Sequence, residues 1–134
     1  MFLLSNYIQE FYSVFPELDS IDTWGVPSLI EPTLIKMLPF LGDEYSINGL
    51  VAIHKTALVE ENVIFKGPVI VSAKCFIGAH AYIRGGVFLG EQCVVGPGCE
   101  VKSTAIMSKS ALAHFNFVGD SLIGSGVNMQ GGSI

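Results

Sequence analysis

Charge is what this chain has least of: only 14% of its 134 residues are Asp, Glu, Lys or Arg, and seven are basic. Arg84 is the single arginine, and the net charge is −5. Without a basic stripe the chain cannot neutralise a run of phosphates, which argues against nucleic-acid binding. Cysteine is also sparse. Cys75, Cys93 and Cys99 are odd in number and not closely paired, a pattern that speaks against a disulfide framework or a zinc knuckle and fits a reducing, cytoplasmic setting. Long apolar runs are missing as well. The opening MFLLSNYIQEF has no basic leader and breaks its apolar run within a few residues, so it reads as neither a signal peptide nor a membrane-spanning helix. A soluble, cytoplasmic protein with no membrane partner is expected. The length leaves room for one core with an appendage, not for two independent domains.

What the chain does have is a repeat. From Val51 to Ala113 an apolar residue returns every sixth position: Ile53, Val59, Phe65, Val71, Ile77, Ile83, Leu89, Val95, Val101, Met107 and Ala113. Two residues ahead of each runs a smaller series, among them Val51, Ala57, Val69, Ala81 and the three cysteines. A period of six is neither the 3.6 of a helix nor strand alternation, and fixed-period self-similarity marks a solenoid. The expected fold is an all-β solenoid, a left-handed parallel β-helix of hexapeptide repeats with a short N-terminal helical arm. Three hexapeptides make one triangular coil of about eighteen residues, and coils stack about 4.8 Å apart. The large residue should point inward and the small one lie near a corner. Gly78, Gly90, Gly96 and Gly124 follow the large residue, where a missing Cβ is expected to ease the turn.

The segment 1–48 reads as the arm and 49–134 as the β-helix. Leu4, Tyr7, Ile8, Phe11, Tyr12 and Phe15 recur at helical spacing and predict an amphipathic helix from Met1 to Phe15, ended by Pro16. Pro27 suits the first turn of a second helix running to about Leu38, with Pro32 and Pro39 limiting its length. The arm should cover the end of the solenoid or an adjacent subunit, since bare coil ends expose unpaired strand edges. So few charges also suggest that part of the flank is buried in an oligomer.

After Ala113 the inward series is expected to resume at Phe117, Ile123 and Met129, a phase slip that puts His114 and Asn116 on an irregularity of the kind that collects at functional sites. An imidazole there could accept a proton near neutral pH, or be a surface or interface histidine. His54 and His80 read as surface residues. The histidine pair expected of an intersubunit zinc site in a trimeric solenoid is absent, and no metal is expected. Arg84 and Lys102 stand eighteen residues apart, which places them on one side of adjacent coils. They form either a phosphate clamp, bidentate Arg beside a point-charge Lys, or two solvated charges.

The run from Glu100 to Asn128, with its E-V-K, its H-x-N-F-V-G-D and its I-G-x-x-V-N in this order and spacing, resembles the acetyltransferase half of the bifunctional glucosamine-1-phosphate acetyltransferase / N-acetylglucosamine-1-phosphate uridyltransferase family. Hexapeptide tails of related sugar-phosphate nucleotidyltransferases share the pattern, and the resemblance spans about residues 53–134. It implies a β-helical homotrimer with active sites between subunits. It also implies acetyl-CoA as co-substrate and His114 as general base, freeing the amine of a hexosamine 1-phosphate to attack the thioester. Arg84 and Lys102 match the family's sugar-phosphate ligands and Asn128 a sugar contact. Phe117 stands where the family usually has a tyrosine that reaches the phosphate.

The family pattern continues beyond Ile134 into an Asn-Tyr loop and further coils that help hold coenzyme A, so the β-helix is expected to be truncated and its thioester site incomplete. No glycine-rich nucleotide-binding segment precedes the repeats. The expected function is N-acetyl transfer to a hexosamine 1-phosphate. The alternative is a non-catalytic trimerisation or regulatory β-helix module related to a nucleotidyltransferase tail.

Overall fold

The computed structural model describes residues 3–133. From Val51 onward the chain winds as the left-handed parallel β-helix that the period of six calls for, with about four coils and three flat sides. Face 1 stacks 51–53, 69–71, 87–89, 104–106 and 122–123 in parallel register. Face 2 stacks Leu58–Val59, Phe76–Ile77, Val94–Val95, Ala111–Leu112 and Asn128–Met129. Face 3 stacks 64–66, 82–84, 100–102 and 117–119. The strands Tyr82–Leu89 and Glu100–Ile106 bend through the corner and serve faces 3 and 1 in turn.

The interior is lined as expected as far as Val101. Val71, Ile77, Ile83, Leu89, Val95 and Val101 are fully buried in one core, with Val69, Cys75, Ala81, Val87, Cys93 and Cys99 beside them. The cysteines are free, and their thiols donate to carbonyl oxygens near the next coil, Cys75 to Gly90 at 3.0 Å and Cys93 to Met107 at 3.0 Å. Small, buried and weakly polar is the role these positions demand.

The phase changes earlier than the sequence reading places it. Between faces 3 and 1 the second full coil turns on Gly85 and Gly86, whereas the next turns on Ser103 alone, so Arg84 pairs with Lys102 but Val87 pairs with Thr104. The coil thereby shortens from eighteen residues to seventeen. It does so again through Asp120, which keeps Leu122 opposite Ala105. From there the inward residues are Ile106, Leu112, Val118, Ile123 and Met129. Met107 is buried against the arm instead, and Phe117 points outward at 59% exposure. The slip expected between Ala113 and Phe117 does not exist, and His114 occupies a regular corner. The small series changes character at the same point, because Thr104, Ser110 and Asn116 replace cysteine and valine, all buried. Asn116 donates to the carbonyls of Ala113 and Gln130 at 3.0 and 2.9 Å and accepts from the Ser133 N–H at 2.8 Å, so its buried amide is paired at both ends.

Gly78, Gly90 and Gly96 serve stacking, not turning. A Cβ on Gly78 would sit 2.6 Å from Pro97 N, and one on Gly96 2.8 Å from the backbone of Ala113 and His114. Neither has positive φ. Gly124 has nothing within 4 Å.

The arm packs on its own solenoid, its helices along the flank and its last strand over the edge of the first coil. The first segment is not one helix. A 3-10 turn at Leu4–Asn6 and a single α turn, α1 (Phe11–Val14), take its place, and Met1 and Phe2 lie outside the described residues. Ser5 is held by Asp19 through its backbone N–H at 2.7 Å and its hydroxyl at 2.9 Å, a tertiary capture that overrides helical spacing. The second helix, α2 (Val26–Met37), runs through Pro32 and is followed by a 3-10 turn, Leu38–Phe40. Its Val26, Ile30 and Leu34, with Phe11 and Phe15, bury against Ala52, Ile70, Phe88 and Ala105, the outward residues of face 1. Phe15 meets Phe88 edge-on at 5.2 Å. The strand Tyr45–Asn48 then pairs antiparallel with Val51–His54 and closes the free edge of that sheet. His54 secures it. Its Nδ1 accepts from the Thr56 N–H at 3.1 Å, leaving Nε2 to donate to Glu44 at 3.1 Å.

Glu10 ties the arm to two coils at once. Its carboxylate accepts from the N–H of Ser108 at 2.5 Å, the Ser108 hydroxyl at 2.8 Å and the Ser125 hydroxyl at 2.6 Å. Desolvation raises the pKa of this carboxyl, but the hydrogen bonds from Ser125 and Ser108, helped by Lys109, outweigh it and hold the group below the usual carboxylate range. A folded pKa below the unfolded one gives stability that is present above the ordinary carboxylate pKa and lost as pH falls through the lowered one. Glu10→Gln is therefore expected to reduce stability at pH 7 by about 1 kcal/mol and to flatten the acid limb of stability against pH. Denaturant melts of the two proteins between pH 3 and 7 provide the check.

Candidate functional site

The outer surface of face 3 carries two columns of side chains, because alternate residues of each strand point out. Ile64, Tyr82, Glu100 and Phe117 form one column, and Lys66, Arg84, Lys102 and Gly119 form the other, each in register with the next. Three cations thus stand on three successive coils, about 4.8 Å apart. Arg84 and Lys102 are direct neighbours. The sequence reading did not include Lys66, although it lies eighteen residues before Arg84 and the coil spacing could have found it.

Each element of the column is held by what surrounds it. Arg84 grips Glu100 Oε2 from Nε at 2.9 Å and from Nη2 at 2.8 Å, and its guanidinium also sits 5.6 Å from the centre of the Tyr82 ring. Lys66 approaches the same ring at 5.5 Å, so Tyr82 is flanked by two cations. Lys102 reaches Asp120 at 3.4 Å. These pairs are partly exposed, contribute little to stability and leave the cations free to exchange a carboxylate for an incoming anion. The Phe117 ring lies across Gly119, where a Cβ would be 2.8 Å from the ring.

His114 projects from the corner between faces 2 and 3. It is exposed, and its ring packs edge-on to Phe115 at 5.6 Å and lies against Gly131 of the following coil. Phe115 takes positive φ at this corner and lays its own ring over Gly98. Below the corner, burial pushes the Cys99 thiol up, and it donates to Ala113 O at 2.9 Å, so it serves as a packing group and not a nucleophile. Asn128 is exposed on face 2, in register with Ala111.

The candidate residues therefore fall in two groups joined by one face. His114 sits on a corner with Phe117 on one adjoining face and Asn128 on the other. Arg84 and Lys102 stand at the opposite edge of face 3, five residues of extended chain from the corner, which is about 16 Å of backbone. The reach of the lysine and imidazole side chains subtracts much of that span. His80 is exposed at the same corner two coils earlier, in the column of Gly98 and Phe115, and His54 lies on Val51–His54, one strand in from the edge. Among the described residues no three His, Cys, Asp or Glu side chains converge as metal ligands. No helix among them is long and apolar enough to cross a membrane.

A family model described as the GMPPB C-terminal domain matches residues 65–133. The chain is 35% identical over 99 residues to the bifunctional protein GlmU of Herminiimonas arsenicoxydans, covering 70% of this chain and 22% of that protein. It is 30% identical over 115 residues to the GlmU of Heliobacterium modesticaldum, covering 82% and 25%. The match to the GlmU of Janthinobacterium sp. (strain Marseille) is 42% over 65 residues, 48% of this chain and 14% of the other. The chain thus spans only a quarter or less of the length of these relatives. No solved structure matches it. With the corner motif, the cation column and all but the first coil inside the matched region, the chain belongs to the GMPPB C-terminal domain family, among the hexapeptide β-helices related to GlmU.

Proposed function

We propose that the protein is an acetyl-CoA-dependent N-acetyltransferase acting on the amine of a hexosamine 1-phosphate. The observation that carries this reading is the single face with an imidazole at one edge and two adjacent, rung-spaced cations at the other, matching a sugar phosphate's amine and anionic ends. Arg84 and Lys102 hold the phosphate. Phe117 and Asn128 bound the sugar on either side of the corner. His114 takes the proton as the neutral amine nitrogen bonds to the thioester carbonyl carbon. The C–S bond then breaks, and coenzyme A leaves as the thiol, taking up the proton that His114 carries. General-base help of this kind is worth about 10²–10⁴-fold, and positioning of amine against thioester supplies further rate.

The working unit of this reading is a cytoplasmic homotrimer with sites between subunits. Its support is the apolar outer column of face 2, where Leu58 is 60% and Val94 38% exposed, together with Phe115 at 74% on the next corner. Patches of this kind are covered in soluble assemblies. A second reading, the non-catalytic trimerisation or regulatory module, is favoured by Phe117, which offers no hydroxyl to a phosphate.

The two readings separate in one assay. The purified protein, given acetyl-CoA and glucosamine 1-phosphate, is expected to release free thiol in step with loss of the amine. No thiol release, with a trimer intact by light scattering, selects the non-catalytic module.

A further inference from the structure

The corner between faces 3 and 1, where the coil shortens, is also where the arm comes nearest the cation column. A cleft of about 500 Å³ opens there between Thr23, Trp24, Pro27 and Ser28 of the arm and Ser103 and Asp120 of the solenoid. Trp24 is 90% exposed, so its indole serves neither core, and it is the one tryptophan of the chain. Asp120 faces this cleft and is also the ion-pair partner of Lys102, which makes cleft and cation column continuous. On the other side of Lys102 the column extends to Arg84 and Lys66, and Lys66 forms no ion pair among the described residues.

We infer that this cleft is a nucleoside subsite, and that the ligand spanning it and face 3 is a nucleoside diphosphate sugar. The inference rests on the reading of face 3 as a sugar-phosphate surface and extends its substrate class. A phosphate on Arg84 and Lys102 directs one ester toward His114 along face 3. Its other ester then points away from His114, round the corner, into the cleft. An exposed indole there stacks with a planar base, and every base offers a π-face. Asp120, Ser103 and Thr23 supply polar partners for ribose hydroxyls. Arg84 and Lys102 on adjacent rungs can share a diphosphate that runs on toward the cleft, with Lys66 on the rung before Arg84 adding positive charge to the column. A bare sugar 1-phosphate would leave the indole unused.

Trp24 is its own reporter. The full-length chain is titrated with UDP, GDP, UDP-glucosamine and glucosamine 1-phosphate, following tryptophan fluorescence and, in parallel, heat. UDP, GDP and UDP-glucosamine are expected to quench the fluorescence, and glucosamine 1-phosphate to bind without quenching. Trp24→Leu, at an exposed position that leaves the fold intact, is expected to weaken UDP-glucosamine binding about tenfold by calorimetry, with glucosamine 1-phosphate binding unchanged. Unaltered fluorescence at saturating UDP-glucosamine overturns the inference, as does wild-type affinity in Trp24→Leu. Equal quenching by glucosamine 1-phosphate also overturns it, since the sugar would then occupy the cleft. Nucleotide quenching in a protein that releases no thiol would leave the subsite standing while acetyl transfer falls, and thiol release with a nucleotide-blind Trp24 would do the reverse.

Discussion

His114→Ala is expected to lower the turnover number for acetyl transfer to glucosamine 1-phosphate by about 10²–10⁴-fold, the usual worth of a general base, with little change in KM. The substitution removes an exposed ring at a regular corner, so folding and assembly should be untouched and the loss should fall on the chemical step. A further readout distinguishes a base from a mere wall of the site: added imidazole should restore part of the variant's rate. A wild-type rate in His114→Ala, or no rescue by imidazole, removes the imidazole from the mechanism.

The second large effect is on stability. Leu89 is fully buried in the prism, in register with Val71 on one coil and Ile106 on the next. Stacked coils fix the distance between these rungs, so the wall cannot collapse into a cavity. Leu89→Ala should cost about 2–5 kcal/mol, the lost transfer energy plus the void. Phe40, apolar but 88% exposed in the 3-10 turn after α2, is the internal control, and its alanine variant should change stability by no more than about 0.5 kcal/mol. Urea unfolding at one fixed protein concentration compares the two, since any assembly would make apparent stability concentration-dependent.

How far the sequence could be read depends on what covers each face. The inward series as far as Val101 was legible because every coil up to Gly85–Gly86 has the same length, so the period of six runs without a break. Past the corner that loses a residue, the adjacent apolar residues at Ile106–Met107, Leu112–Ala113 and Leu122–Ile123 let the old phase and the new one both look apolar, and periodicity cannot choose between them. The structure supplies the reason for two of these. Met107 and Leu122 are outward residues made apolar by the arm that packs on face 1. The shortened corner at Ser103 left no compositional mark except the doubled Gly85–Gly86 it replaces, and so the phase change was placed ten residues late. The pairing of Arg84 with Lys102 needed only the number eighteen. The Trp24 cleft could not be foreseen at all, because it joins residues 75 to 97 positions apart through docking of the arm that no local pattern encodes.

One feature of the lining gives the stack a direction. As far as Cys99 the corner positions are filled by valine, alanine and thiols that donate only weakly toward the next coil, whereas Thr104, Ser110 and Asn116 replace them with stronger donors and acceptors that link one rung to the next. Cohesion at these positions in the early rungs therefore rests mostly on apolar contact and tolerates small displacements, while in the later rungs it depends on donor meeting acceptor. Such a column has a pliant half and a brittle half, and the boundary between them runs through the corner where Lys102 meets the cleft.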